Sequence, residues 1–178
     1  MIKVKSSLKR TLILETVDCI NQTVLIKGWV RIRRDHGKLI FLDVRDRSGV
    51  IQIVVNPKVS QKAYNVAQDL KPEFVVEILG KVNKRPEGTI NKDLPTGKVE
   101  LEAQEIDILS KAQKLPFDMG GEELHLELPT LLDHRSLTLR HPKVKEIFQV
   151  QEELLKGFRK AAEELGCTEI VVPTIVAS

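Results

Sequence analysis

The sequence predicts a mainly β domain followed by a short helix–strand unit, and three observations carry that expectation. Apolar and polar residues alternate in five short segments between positions 23 and 109, the period of half-buried strands. Turn-forming Gly, Pro, Asp and Asn separate these segments. Beyond residue 143 the period changes to that of an amphipathic helix. The chain has 178 residues, of which 42% are hydrophobic, enough to bury a core and to exclude wholesale disorder. No apolar run approaches the roughly 18 residues of a membrane helix, and the first ten residues lack the apolar stretch of a signal peptide. The two cysteines, Cys19 and Cys167, lie far apart without CxxC spacing. A disulfide framework or cysteine zinc site is not expected, and a reducing cytoplasmic setting fits best.

Residues 23–33 (TVLIKGWVRIR) put Val24, Ile26, Gly28, Val30 and Ile32 on one face of a first strand. Trp29 is assigned to the core. Asp35-His36-Gly37 makes a tight connection to a second strand at 39–44 (LIFLDV). The turn Asp46-Arg47-Ser48-Gly49 leads to a third at 50–55 (VIQIVV), which Pro57 ends. Ala63, Val66, Ala67 and Leu70 fall at helical spacing within residues 59–70. A fourth strand covers 74–82 and a fifth 98–109, with the long loop RPEGTINKDLPTG between them. Five strands with one helix between the third and fourth is the order of the OB-fold, a small Greek-key barrel. An SH3-like barrel is the alternative, but its helix usually sits elsewhere. Residues 111–143 carry Pro116, Gly120-Gly121 and Pro129 and read as a hinge. Residues 144–165 form a helix with Ile147, Phe148, Leu154, Leu155, Phe158 and Leu165 on one face, Pro142 near its start and Gly166 past its end. Residues 168–172 are read as a strand stopped by Pro173.

The net charge of +3 hides an asymmetry: residues 1–60 hold 12 Lys/Arg against 5 Asp/Glu. A polyanion-facing surface is expected in that first third. The four histidines lack metal-binding spacing, and no P-loop, GxSxG or GxGxxG is present. The informative cluster lies on the strands and loops that form the nucleic-acid face of an OB barrel. Those pieces contain Arg31, Arg33, Arg34, Lys38, Phe41, Asp43, Arg45, Gln52, Arg85 and Glu100. Phe41, Asp43 and Arg45 alternate onto one face, and Gln52 stands on the next strand. An aromatic ring can stack a base, guanidinium groups neutralise phosphates, and amide or carboxylate groups read base edges. Arg45 serves equally well as a structural pin.

Arg10-Thr11, GWVRIRRDHGKLIFLDVRDRSGVIQIVV and RPEGTINKDLPTGKVEL resemble the N-terminal anticodon-binding domain of aspartyl-tRNA synthetases, a class IIb family. LDHRSLTLRHPKVKEIF and ELGCTEIVVPTIVAS resemble that family's hinge and first class II motif. The loop is similar to the bacterial enzymes and the C-terminal end to the archaeal and eukaryotic ones. The resemblance implies that Phe41 stacks on an anticodon base and that Gln52, Arg34 and Glu100 contact the anticodon. Arg31, Arg33 and Arg85 complete the candidate RNA-binding set, with Ile32 interrupting the run of three arginines found in bacterial members. Phe148 and Pro173 fall in the first motif, the family's dimer interface.

The expected organisation is an OB domain over residues 1–110, a linker over 111–143, and the start of a class II catalytic domain over 144–178. The sequence reads as cut off after that first motif, before the family's catalytic residues. The expected partner is the anticodon stem-loop of tRNA-Asp, with tRNA-Asn an open alternative, and a homodimer is expected for the full-length parent. ATP and Mg are implied for the parent's reaction; no cofactor, catalytic residue or metal is expected for the 178 residues themselves. A stand-alone single-stranded nucleic-acid-binding OB protein, or part of an asparaginyl- or lysyl-tRNA synthetase, are the competing readings.

Overall fold

The computed structural model describes residues 8–119, 121 and 123–172. Two compact units divide the chain, residues 1–116 and 117–178.

The first unit is a closed five-stranded barrel: β1 (Thr23–His36), β2 (Leu39–Arg45), β3 (Val50–Val55), β4 (Val75–Lys84) and β5 (Val99–Ser110), in the order β1-β2-β3-β5-β4. All pairs are antiparallel except β3 with β5, which close the barrel in parallel. The alternation in the sequence is directly visible in burial. Ile40, Leu42 and Val44 of β2 and Ile51, Ile53 and Val55 of β3 point into the core, while the residues between them are half-buried. Helix α1 (Gln61–Gln68) starts at Ser60, whose hydroxyl accepts from the Ala63 N–H at 3.2 Å, a standard N-cap. It packs Ala63 and Ala67 into the same core.

Three features depart from the sequence reading. A 3₁₀ helix at Ile13–Asp18 precedes the barrel and plugs it with the fully buried Ile13. Its short, irregular pattern gave no period to detect. The first strand carries a bulge between Val30 and Ile32, so Val30 pairs with Val44 but Ile32 pairs with Asp43. One extra residue exchanges the two faces of a strand. Ile32 therefore leaves the core face, and Arg34 joins the face of Phe41. Trp29 is half-buried on the outer face, not in the core, with the Arg45 guanidinium 5.5 Å from its ring centre.

In the second unit, the stretch read as a hinge holds two short helices, α2 (Leu128–Asp133) and α3 (Arg135–Thr138). The buried Thr138 hydroxyl donates to the Leu131 carbonyl at 3.0 Å and ties them together. Helix α4 (Pro142–Glu164) begins two residues before the expected start, because Pro is well suited to a first helical turn. It ends at Gly166, whose φ of +78° permits the terminal hydrogen bonds from Gly166 N and Cys167 N. Residues 168–172, read as a strand, pair with no strand among the described residues. A β-ladder needs a second chain segment for its N–H and C=O groups, and Ile170, Val171 and Val172 are exposed. Pro173 lies outside the described residues. Among the described residues no helix is long and apolar enough to cross a membrane.

Candidate nucleic-acid interface

The outer face of β1, β2 and β3 brings Arg34, Phe41, Asp43 and Gln52 of the expected site together. Phe41 stands opposite Arg34 on one side and Val54 on the other; Asp43 stands opposite Ile32 and Gln52. These registers follow from the β1 bulge and from the strict alternation of β2. The result is a half-buried aromatic ring beside an aliphatic neighbour, flanked by polar groups. His36, at the end of β1, lies edge-on to Phe41 with ring centres 6.5 Å apart. The sequence places His36 in the turn after the first strand, but β1 runs on through it, so it stands on the same strand two residues beyond Arg34.

Two charge pairs frame Phe41 and Gln52. Arg34 Nη2 donates to Asp43 Oδ1 at 2.9 Å. On the other side, Gln52 Nε2 donates to Glu100 Oε2 at 3.3 Å, and Arg85 Nε sits 3.9 Å from the same oxygen. Burial pushes the Glu100 carboxyl above its ordinary pKa; the Arg85 charge and the Gln52 hydrogen bond pull it back down, while Glu102 adds to the rise. The loop 85–97 beside it is compact. Arg85 N donates to Lys98 O at 2.9 Å, Asn91 N to Gly97 O at 3.1 Å, and Gly97 N to Leu94 O at 2.9 Å. Thr96 donates through its hydroxyl to the Val50 carbonyl, anchoring the loop to β3.

The remaining arginines separate. Arg31 is the bulged residue of β1. Arg33 stands opposite Leu42, on the strand face away from Phe41, and its Nη2 donates to both Asp35 oxygens at 2.8 Å. Arg45 donates to the buried Glu73, which leaves it a structural role: it clamps the segment before β4, where Glu73 N donates to Val30 O at 2.7 Å. The next turn is held by Asp46, whose side chain is 0% exposed. Its Oδ1 accepts from Ser48 N and Oγ, and its Oδ2 from Ile13 N at 3.0 Å. Burial alone would raise the pKa of Asp46, but the hydrogen bonds from Ser48, Ile13 and Gly49 outweigh it and hold the carboxyl below its ordinary value.

The described residues contain no group of three His, Cys, Asp or Glu side chains able to hold a metal ion. In the second unit Phe148 is 37% exposed, with the Arg135 guanidinium 5.1 Å from its ring centre.

A closed barrel of this strand order, with an aromatic and paired polar groups on β1–β3, is the arrangement that binds single-stranded nucleic acid. Residues 24–109 match the family described as OB-fold nucleic acid binding domain. The match runs through all five strands, and the barrel has the OB topology. Beyond the OB domain itself, similarity extends through the second unit. An aspartate–tRNA ligase of Bacillus licheniformis is 38% identical over 163 residues, which take in 92% of this chain and 28% of the ligase. An aspartate–tRNA(Asp/Asn) ligase of Bacillus subtilis is 38% identical over the same length, again 92% of this chain and 28% of that protein. Among solved structures, asparaginyl-tRNA synthetase from Pyrococcus horikoshii complexed with asparaginyl-adenylate superposes with a TM-score of 0.76 at 26% identity, covering 93% of this chain and 36% of that one. The resemblance to aspartyl-tRNA synthetases thus holds across the OB domain and the helices after it, and the chain spans 28% of the length of these curated relatives.

Proposed function

We propose that this chain recognises the anticodon loop of a transfer RNA through its OB domain, as part of aspartate–tRNA ligation. The observation that carries the reading is the Phe41 platform set between Arg34–Asp43 and Gln52–Glu100 on the outer face of the barrel. Phe41 stacks a base, Arg34 contacts a neighbouring base or phosphate, and Gln52 and Glu100 read base edges, the carboxylate accepting from amino or imino groups. Arg31 adds positive charge at the β1 bulge, whereas Arg33 faces away from Phe41 and is paired with Asp35. In the full reaction aspartate is joined to tRNA-Asp, or to tRNA-Asn as well, with ATP and Mg, in the cytoplasm. The 178 residues supply recognition and do not by themselves activate the amino acid, so an aspartate-dependent pyrophosphate-exchange assay of this chain gives no signal. The apolar residues Ile147, Phe148, Val150, Leu154 and Phe158 exposed along α4 support a homodimer of the full-length enzyme.

The deciding experiment is a binding titration with anticodon stem-loops. A loop with a GU-containing anticodon binds more tightly than a scrambled loop, and tRNA-Asp and tRNA-Asn loops in competition define the specificity. Equal binding of matched and scrambled loops would turn the reading towards a general single-strand binder.

A further inference from the structure

Arg85 was expected to touch RNA, yet its side chain is only 6% exposed. Its Nη1 donates to the Thr89 carbonyl at 3.3 Å, inside the loop 85–97. Its Nε is buried without a hydrogen-bond partner and faces Glu100 Oε2 at 3.9 Å, too far for a hydrogen bond but close enough for strong charge attraction. Among the described residues, the contacts of the Glu100 carboxylate with Gln52 and Arg85 both fall on Oε2. That leaves Oε1 available to an incoming base. The other groups around Glu100 are Asn83, its partner across β4, Glu102 on its own strand, and Asp43 opposite Gln52. Arg85 is the cation that contacts it.

We propose that Arg85 is a positioning residue: from beneath the face it locks the shape of loop 85–97 to the orientation of the Glu100 carboxylate. The inference rests on the anticodon reading of the site. One guanidinium holds the loop carbonyl at one end and the carboxylate at the other, so loop closure and base reading are set together. A planar fork can bridge both; a lysine, as a point charge, keeps the attraction to Glu100 but not the bridge.

A double-mutant cycle on the full chain separates this role from direct phosphate contact. Arg85→Met weakens binding of the matched stem-loop roughly tenfold. In the Glu100→Gln background the same change costs little more, because the two residues act as one unit. The slope of log affinity against log salt stays unchanged in Arg85→Met, since no phosphate contact is lost. Additive losses, together with a shallower salt slope by about 0.7–0.9, would overturn the proposal. A second measurement needs no RNA. The Glu100 carboxyl resonance, followed through an acid titration of the free chain, moves to a higher midpoint in Arg85→Met and stays near the wild-type value in Arg85→Lys. An unmoved midpoint in Arg85→Met overturns the proposal even if the anticodon reading fails, and a failure of matched loops to bind better than scrambled ones counts against the anticodon reading alone.

Discussion

Phe41 and Asp46 show how little of this barrel's surface is left to chance at the scale of single residues. Phe41 offers a ring beside Val54 on a face that also carries Arg34, Asp43 and Gln52, and base–aromatic stacking contributes about 1–3 kcal/mol per base. Phe41→Ala therefore lowers affinity for the matched stem-loop roughly 5- to 150-fold while leaving the melting temperature nearly unchanged, because the side chain is not in the core; calorimetric titration paired with thermal unfolding checks both. Asp46 does the opposite work. Its carboxylate gathers N–H and O–H donors from Ser48, Ile13 and Gly49, and these hold its folded pKa below the unfolded value of about 3.9. Its stabilisation is fully present above the unfolded pKa and is lost as pH falls through the folded one. Asp46→Asn costs on the order of 1–3 kcal/mol at neutral pH. The gap to wild type narrows as the pH drops below about 4, which denaturant melts across a pH series would reveal; a constant gap would mean the charge is not involved.

At the scale of elements, the bulge in β1 and the tight loop before β5 shape the interface. The bulge places Arg34 beside Phe41, and without it Arg33 would occupy that face. The loop 85–97 closes on Gly97, where a Cβ would come within 1.7 Å of the Asn91 carbonyl oxygen. Gly97→Ala forces that loop open, at a cost of about 1–3 kcal/mol, and weakens RNA binding more than any loss of stability explains. Amide exchange confined to residues 85–98 is the expected signature. The 3₁₀ helix before β1 contributes in a different way. Its Ile13 completes the core, so Ile13→Ala costs about 2–5 kcal/mol in chemical denaturation and leaves anticodon discrimination intact once the protein is folded.

At the scale of the whole molecule, the excess of positive charge in residues 1–60 and the division into two units matter most. Binding to a stem-loop falls with added salt, because it releases counterions from the RNA and that release gains less entropy at higher salt. A version ending at residue 116 keeps both the discrimination and most of the salt slope, because the barrel and its core lie within that unit. Loss of discrimination in that shortened chain would show that the second unit takes part in reading the loop.

The sequence by itself determined the five strands, the helix after β3, and the alternation that sets Phe41, Asp43 and Arg45 on one face with Gln52 on the next strand; Glu100 gained its role through the resemblance alone. Period-two alternation reports which residues face inward whenever a strand is regular, and the motifs around those residues carried the resemblance to aspartyl-tRNA synthetases. Tertiary structure alone decided the rest. A bulge is invisible to periodicity, so the side taken by Ile32, Arg33 and Arg34 depended on the pairing of β1 with β2. Arg45 turned out to clamp Glu73, and Arg85 to lie beneath the surface, because burial of a long charged side chain depends on partners far away in sequence. Residues 168–172 have the composition of a strand, yet a strand exists only where another segment satisfies its backbone, and among the described residues none does.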